Sequence, residues 1–231
     1  MPEGNNLEVL LDVALDVDEE ADRAERGDET VIGDQRIRLL LRENRIALAK
    51  GGTTVVQPGE GAEPGLAFYD VPLVCVVHSH PECRFRWSRL TIDLTPTNGA
   101  TIRDMSPEEI RGDKPVELKT TIGVGVKFET KARVLSAEAK PEYTSSRTVY
   151  YPEIVSSGKK FSIGYWDFLA LTSDYLHANR ELRLLVSAPK GEMVKARFNL
   201  RAKVGCPGIV GLIPLIGRRK AELDGVYRLH G

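Results

Sequence analysis

The chain has 231 residues, 42% of them hydrophobic and 28% charged, with a mean hydropathy of −0.23 and a formal net charge of −1. A chain of this length buries a substantial core without covalent staples, and its ordinary composition excludes both a disordered polymer and a disulfide-held miniature domain. The near-neutral total conceals an asymmetry: residues 1–35 hold 12 acidic and two basic residues, so the remainder is strongly basic.

The first periodic segment places Leu7, Val9, Leu11, Val13, Leu15 and Val17 two residues apart, which predicts a strand, although Leu10 and Ala14 on the other face leave a helix as the alternative. Residues 18–29 are almost all charged and read as a solvated loop or a short exposed helix. A hairpin is predicted next, with Ile37, Leu39 and Leu41 in one arm, Ile46 and Leu48 in the other, and a turn through residues 42–45. Residues 57–65, rich in glycine and proline, read as a long surface loop.

From Val71 onward, strand signals recur every ten to fifteen residues, over 73–78, 84–94, 101–104, 116–119, 122–135, 147–151, 162–170, 182–186 and 194–204. Between them, residues 95–99 and 188–192 carry turn chemistry, with Gly191 expected in the left-handed region. Ser106 as N-cap, Pro107 at the first helical position and Glu109 at the capping-box position predict a short helix. Evenly spaced strands of this kind predict an all-β fold, an antiparallel β-sandwich with jelly-roll or immunoglobulin-like topology left open, and one or two short helices. The expected division is an acidic arm or edge strand over 1–35 and a single sandwich domain over 36–231.

Between Val194 and Val204 the alternation is faultless, and it sets Lys195, Arg197, Asn199, Arg201 and Lys203 on one face. Four cations about 7 Å apart along a strand read as a plain solvated face, or as a row that tracks the carboxylates of an acidic protein segment or phosphates. Aromatic interleaving is absent from that face, which disfavours single-stranded nucleic acid. The apolar segment 208–217, with Ile209, Leu212, Ile213 and Leu215, contains Pro214 and several glycines; it reads as an exposed docking element or a subunit interface rather than a strand interior. Tyr150, Tyr151, Tyr165, Trp166, Phe168 and Tyr175 read as core and inter-sheet packing, with a ligand pocket as the alternative.

His78-Ser-His80 follows an apolar strand, and Ser88 comes after seven intervening residues. This resembles the core of the JAMM-type zinc metallopeptidase signature, which would imply zinc on the two histidines and water activation by an upstream glutamate. Thr91 occupies the position of the third ligand, and a threonine hydroxyl does not replace a carboxylate on a metal at neutral pH. His78, His80 and Cys83 form an alternative donor set that lacks a fourth ligand nearby in sequence. Gly123-Val-Gly125 lies within a strand pattern with no helix after it, and so reads as a bulge or close approach rather than a phosphate loop. Cys206 has no His or Asp beside it to activate a nucleophile.

These features predict a non-catalytic binding or assembly module that recognises a protein partner or a second copy of itself, with Lys195, Arg197, Arg201, Lys203, Ile209, Leu212, Ile213 and Leu215 as its binding residues. The alternatives are the zinc peptidase centred on His78 and His80, and an anionic ligand or nucleic acid on the basic stripe. No catalytic residue, cofactor or resident metal is expected. Three cysteines, Cys75, Cys83 and Cys206, form no disulfide framework, which suggests a reducing, cytoplasmic setting. The opening residues lack a secretion signal, and the apolar stretch of about ten residues is short of the roughly 20 that cross a bilayer.

Overall fold

The computed structural model describes residues 7–27, 34–57, 63–112, 116–122, 143–149, 152–170, 178–217 and 225–230. They fall into two compact units, one of residues 1–110 and 153–231, the other of residues 111–152. In chain order the elements are β1 (Glu8–Val17), α1 (Glu19–Arg26), α2 (Gln35–Arg42), β2 (Arg45–Lys50), β3 (Thr54–Val56), β4 (Leu66–His78), β5 (Arg84–Asp93), β6 (Thr101–Ser106) and β7 (Glu109–Arg111). There follow β8 (Val116–Ile122), β9 (Tyr143–Val149), β10 (Pro152–Ser157), β11 (Ile163–Leu169), β12 (Ala178–Pro189), β13 (Val194–Gly205), β14 (Ile213–Gly217) and β15 (Tyr227–His230).

The all-β class with two short helices holds. The arrangement is one large antiparallel sheet of 13 strands, in the order β6-β12-β4-β2-β1-β14-β13-β5-β11-β10-β7, with β3 added to β4 and β15 to β13. Two separate sandwich sheets were expected from the sequence, but a single strand joins the halves. β1 pairs with β2 as far as Ala14 and then with β14 from Leu15 to Val17. It turns that corner after a bulge between Val9 and Leu11, which inserts a residue and reverses the phase of its alternation. The bulge also explains the irregular sequence pattern: Leu10 and Leu11 are both buried, and Val9 is exposed.

The far ends of this sheet also meet. Ile102 of β6 donates its N–H to the Phe161 carbonyl (2.9 Å) and accepts from the Lys160 N–H (2.7 Å), both in the turn between β10 and β11. The ladder therefore nearly closes on itself around one core, in which Trp166, Phe85, Phe168, Leu15, Leu73 and Ile92 are among the largest fully buried side chains.

Within the acidic segment, β1 is no edge strand: it lies in the middle of the sheet, between β2 and β14. Nor is the first arm of the expected 37–48 hairpin a strand. Asp34 caps α2 by accepting the Ile37 N–H on Oδ1 (3.1 Å), and Leu41 is fully buried while Leu39 is exposed, as a helical face requires. The helix expected after Ser106 is absent. Ser106-Pro107 is a cis peptide in a turn from β6 to β7, where the Glu108 carbonyl accepts the Ser156 N–H (2.8 Å). Gly191 does adopt the left-handed region, with φ of 84°.

In the second unit β8 and β9 form an antiparallel pair from Val116↔Val149 to Ile122↔Tyr143. Gly123, Gly125, Tyr150, Tyr151 and Tyr175 lie outside the described residues, as does the predicted continuation of β8 to residue 135. Among the described residues, no helix is long and apolar enough to cross a membrane.

Candidate binding face

β13 alternates as its sequence predicts: Val194, Ala196, Phe198, Leu200, Ala202 and Val204 are buried, while Lys195, Arg197, Asn199 and Arg201 are exposed and Lys203 partly so. Antiparallel register determines what stands beside each outward residue. On β5, Arg197 faces Asp93, Asn199 faces Thr91, Arg201 faces Arg89 and Lys203 faces Trp87. One strand further, on β11, Asp93 faces Ile163, Thr91 faces Tyr165 and Arg89 faces Asp167.

The sequence alone shows no aromatic residues on this face, yet Trp87 and Tyr165 reach it from neighbouring strands. They gather around Arg89, whose guanidinium carbon lies 3.9 Å from the Tyr165 ring centre and 5.4 Å from that of Trp87. Asp167 secures the group, accepting from Trp87 Nε1 (3.0 Å) and Arg89 Nε (2.8 Å) on Oδ1 and from Arg89 Nη2 (2.7 Å) on Oδ2. The same bond raises the Arg89 pKa, with burial opposing it. A bulge of β5 against β13, between the Lys203↔Trp87 and Val204↔Phe85 pairs, turns Trp87 outward while Phe85 stays in the core.

The cations differ in how far they are matched. Lys203 Nζ meets Glu25 of α1 at 2.6 Å, and Arg197 lies 3.7 Å from Asp93. Lys195 and Arg201 have no carboxylate partner among the described residues. Arg201 directly opposes Arg89, and Lys195 directly opposes Arg228 of β15. Like charges placed opposite one another are unfavourable unless an anion lies between them.

Five acids of the N-terminal segment pair elsewhere: Glu8 with Lys50, Asp12 with Arg45, Asp16 with Arg38 and Arg42, Glu19 with Arg38, and Asp22 with Arg26. Of the acidic segment, only Glu25 is paired with the stripe among the described residues.

The apolar segment is not a continuous docking element. Ile213 and Leu215 are buried in β14, and even Pro214 takes a ladder position opposite Lys203, its carbonyl accepting the Asp18 N–H at 2.9 Å. Ile209 packs against the core, so the surface left by this segment is Val210, 91% exposed, and Leu212. Trp166 and Phe168 are core residues, as expected.

The zinc-peptidase signature is not assembled. His78 is exposed at the end of β4 and Ser88 is buried, whereas Thr91 points to the outer face. His80 uses both ring nitrogens in local contacts, Nδ1 accepting the Glu82 N–H (3.2 Å) and Nε2 lying 3.3 Å from a Glu43 carboxylate oxygen. Among the described residues no three His, Cys, Asp or Glu side chains converge as a metal site.

Compared with known protein families and with curated proteins, the sequence matches none. Among solved structures, Clostridium perfringens delta-toxin matches with a TM-score of 0.33 and 11% identity, over 76% of this chain and 80% of that one.

Proposed function

We propose that this chain is a non-catalytic binding and assembly module that recognises an acidic segment of a protein partner on the outer face of β13, β5 and β11. The observation that carries the reading is the opposition of Arg201 to Arg89, with no carboxylate matched to Arg201 among the described residues. Asp167 holds Arg89 rigidly in place, so a carboxylate entering beside Arg201 meets a pre-positioned pair of guanidinium groups. Asn199 and Thr91 lie in the next row and add hydrogen-bonding capacity. Such a face confers orientation and association rate more than raw affinity, and binding weakens as salt is added.

The test measures binding of a glutamate-rich peptide to the full chain and to the double variant Lys195→Glu, Arg201→Glu. The expected result is at least about tenfold weaker binding for the variant, equivalent to about 1.4 kcal/mol, with a reduced salt dependence. Equal peptide affinity in a folded variant overturns the reading, as does binding confined to anionic lipid vesicles.

Removing residues 1–35 is not a usable test of charge masking, because it deletes a central strand. Replacing Glu25 with Gln removes the pairing charge from Lys203 alone. The variant is expected to elute from heparin resin at higher salt than the parent, and unchanged elution would show that Glu25 does not mask the stripe.

A further inference from the structure

One residue before β5 begins and one after β13 ends, Cys83 and Cys206 continue the ladder beyond its last pair, Arg84↔Gly205. Their sulfurs are 3.5 Å apart, and both thiols are free. Adjacent strands hold directly opposed residues at the Cα separation that a disulfide bridges, so the remaining movement belongs to the side chains. The surroundings of Cys83 are fixed. Buried Asn44 donates from Nδ2 to the Cys83 sulfur (3.3 Å) and accepts the His80 N–H on Oδ1 (2.9 Å), and the Cys83 N–H returns to the His80 carbonyl (2.8 Å).

Cys206 is the accessible member of the pair. It lines a surface cavity of about 500 Å³ together with Arg84, Arg86, Glu82, Pro207 and Leu212. Cys83 lies beneath it, 1% exposed.

We infer that Cys83 and Cys206 are a redox-active dithiol, which an anionic low-molecular-weight disulfide of the glutathione class, entering beside Arg84 and Arg86, converts to an intramolecular disulfide. The pair is suited to the chemistry because hydrogen bonding from Cys206, with help from Asn44, lowers the Cys83 pKa to about 7, while the same contact and burial raise that of Cys206. Loss of one proton from the pair leaves the other shared between the two sulfurs, 3.5 Å apart.

In the first step that proton moves to Cys83, and Cys206 Sγ attacks one sulfur of the incoming disulfide. The disulfide's S–S bond breaks, and one small thiolate leaves and takes a proton from water. In the second step Cys83 gives its proton to solvent and its sulfur attacks Cys206 Sγ, releasing the second small thiolate, which is also protonated. Two protein thiols are oxidised and one small disulfide is reduced to two thiols. The new bond ties residues 206–212, including exposed Val210, to the turn at residues 80–83.

Cys75 takes no part. It is buried, and burial alone pushes its pKa up to about 12.

The test equilibrates the reduced full chain with graded mixtures of oxidised and reduced glutathione, alkylates free thiols, and maps peptides by mass spectrometry. The expected product is a Cys83–Cys206 disulfide, accompanied by a rise in Tm of about 5–10 °C, because the cross-link closes a long loop of chain. Cys83→Ser should instead accumulate a stable glutathione adduct at Cys206, since the resolving thiol is gone. The double variant Arg84→Glu, Arg86→Glu should react about tenfold more slowly with oxidised glutathione but at the parental rate with uncharged hydroxyethyl disulfide. A parent chain that stays reduced, or that stops at the mixed disulfide, under excess oxidised glutathione overturns the dithiol assignment. Equal slowing with both disulfides overturns the role of the arginines.

Discussion

Replacing Gly158 with alanine should lower the stability of the chain by about 2–5 kcal/mol, combining backbone strain with overpacking. Gly158 follows the end of β10 with φ of 120°, a conformation that side chains rarely adopt. An added Cβ would lie 2.3 Å from Gly164 Cα and 2.6 Å from the Ile163 carbonyl oxygen, both backbone atoms of β11. Neither moves without displacing the strand. The strand is confined in turn, since a Cβ on Gly164 would itself come within 2.6 Å of Ile102 Cδ1. The two glycines thus allow the β10–β11 turn to approach β6 and make the bonds from Ile102 that bring the ends of the sheet together. Gly191→Ala is the control, because it shares a positive φ of 84° but its Cβ would meet nothing within 4 Å. It should cost only about 1–2 kcal/mol, the conformational part. Urea midpoints, with m-values to check that the unfolding transition is unchanged, compare the two variants. Equal losses would show that the close approach of the two glycines is energetically unimportant.

Asp22→Ala should destabilise by about 3–5 kcal/mol, the cost of leaving a largely buried cation without its counter-ion. Asp22 is fully buried on α1 and lies 3.0 Å from Arg26 Nε, whose side chain is only 12% exposed. Arg26 in turn donates to the Val210 carbonyl through Nη1 (2.8 Å) and to the Leu212 carbonyl through Nη2 (3.0 Å). The helix therefore orients an arginine that fixes the backbone leading into β14, and losing Asp22 should also loosen residues 208–212. Hydrogen exchange should quicken there while the amides of β5 and β11 keep their protection. Adding Arg26→Met to Asp22→Ala should recover part of the loss, since it removes the unpaired charge. A double variant no better than Asp22→Ala alone would place the cost in packing rather than charge.

How much could be read from sequence followed the range of the interactions involved. β13, β5 and β11 declare themselves by alternation, because a half-buried strand writes its two faces into adjacent residues. Residues 37–41 misread as a strand for a definable reason: Ile37, Leu39 and Leu41 satisfy a two-residue spacing, while Ile37 and Leu41 equally satisfy a four-residue helical one. The 64% exposure of Leu39 resolves the matter for the helix. β14 was hidden by Pro214, which supplies a carbonyl to Asp18 without needing an N–H of its own.

The stripe from Lys195 to Lys203 was legible, but its setting was not. Whether Arg201 stands beside Arg89, and Arg89 beside Asp167 and under Tyr165, depends on register between strands far apart in sequence. Trp87, Arg89, Thr91 and Asp93 do carry a signal, an outward row alternating with Ser88 and the apolar Leu90, Ile92 and Leu94, although nothing local says which strand lies alongside. The Cys83–Cys206 contact joins residues 123 positions apart and has no local signature.

The central seam of the sheet bears on how the molecule is made. Leu15↔Gly217, Asp16↔Ile216 and Val17↔Leu215 join segments from near opposite ends of the chain, at the middle of the ladder rather than at its border. A ribosome releases β1 long before β14 exists, so the second half of β1 waits unpaired until β14 has been made. Non-local pairings of this kind slow folding and leave strand edges open for association in the interim. The charged residues that follow β1, Asp18, Glu19 and Glu20, stand beside that waiting edge and discourage its pairing with other nascent chains.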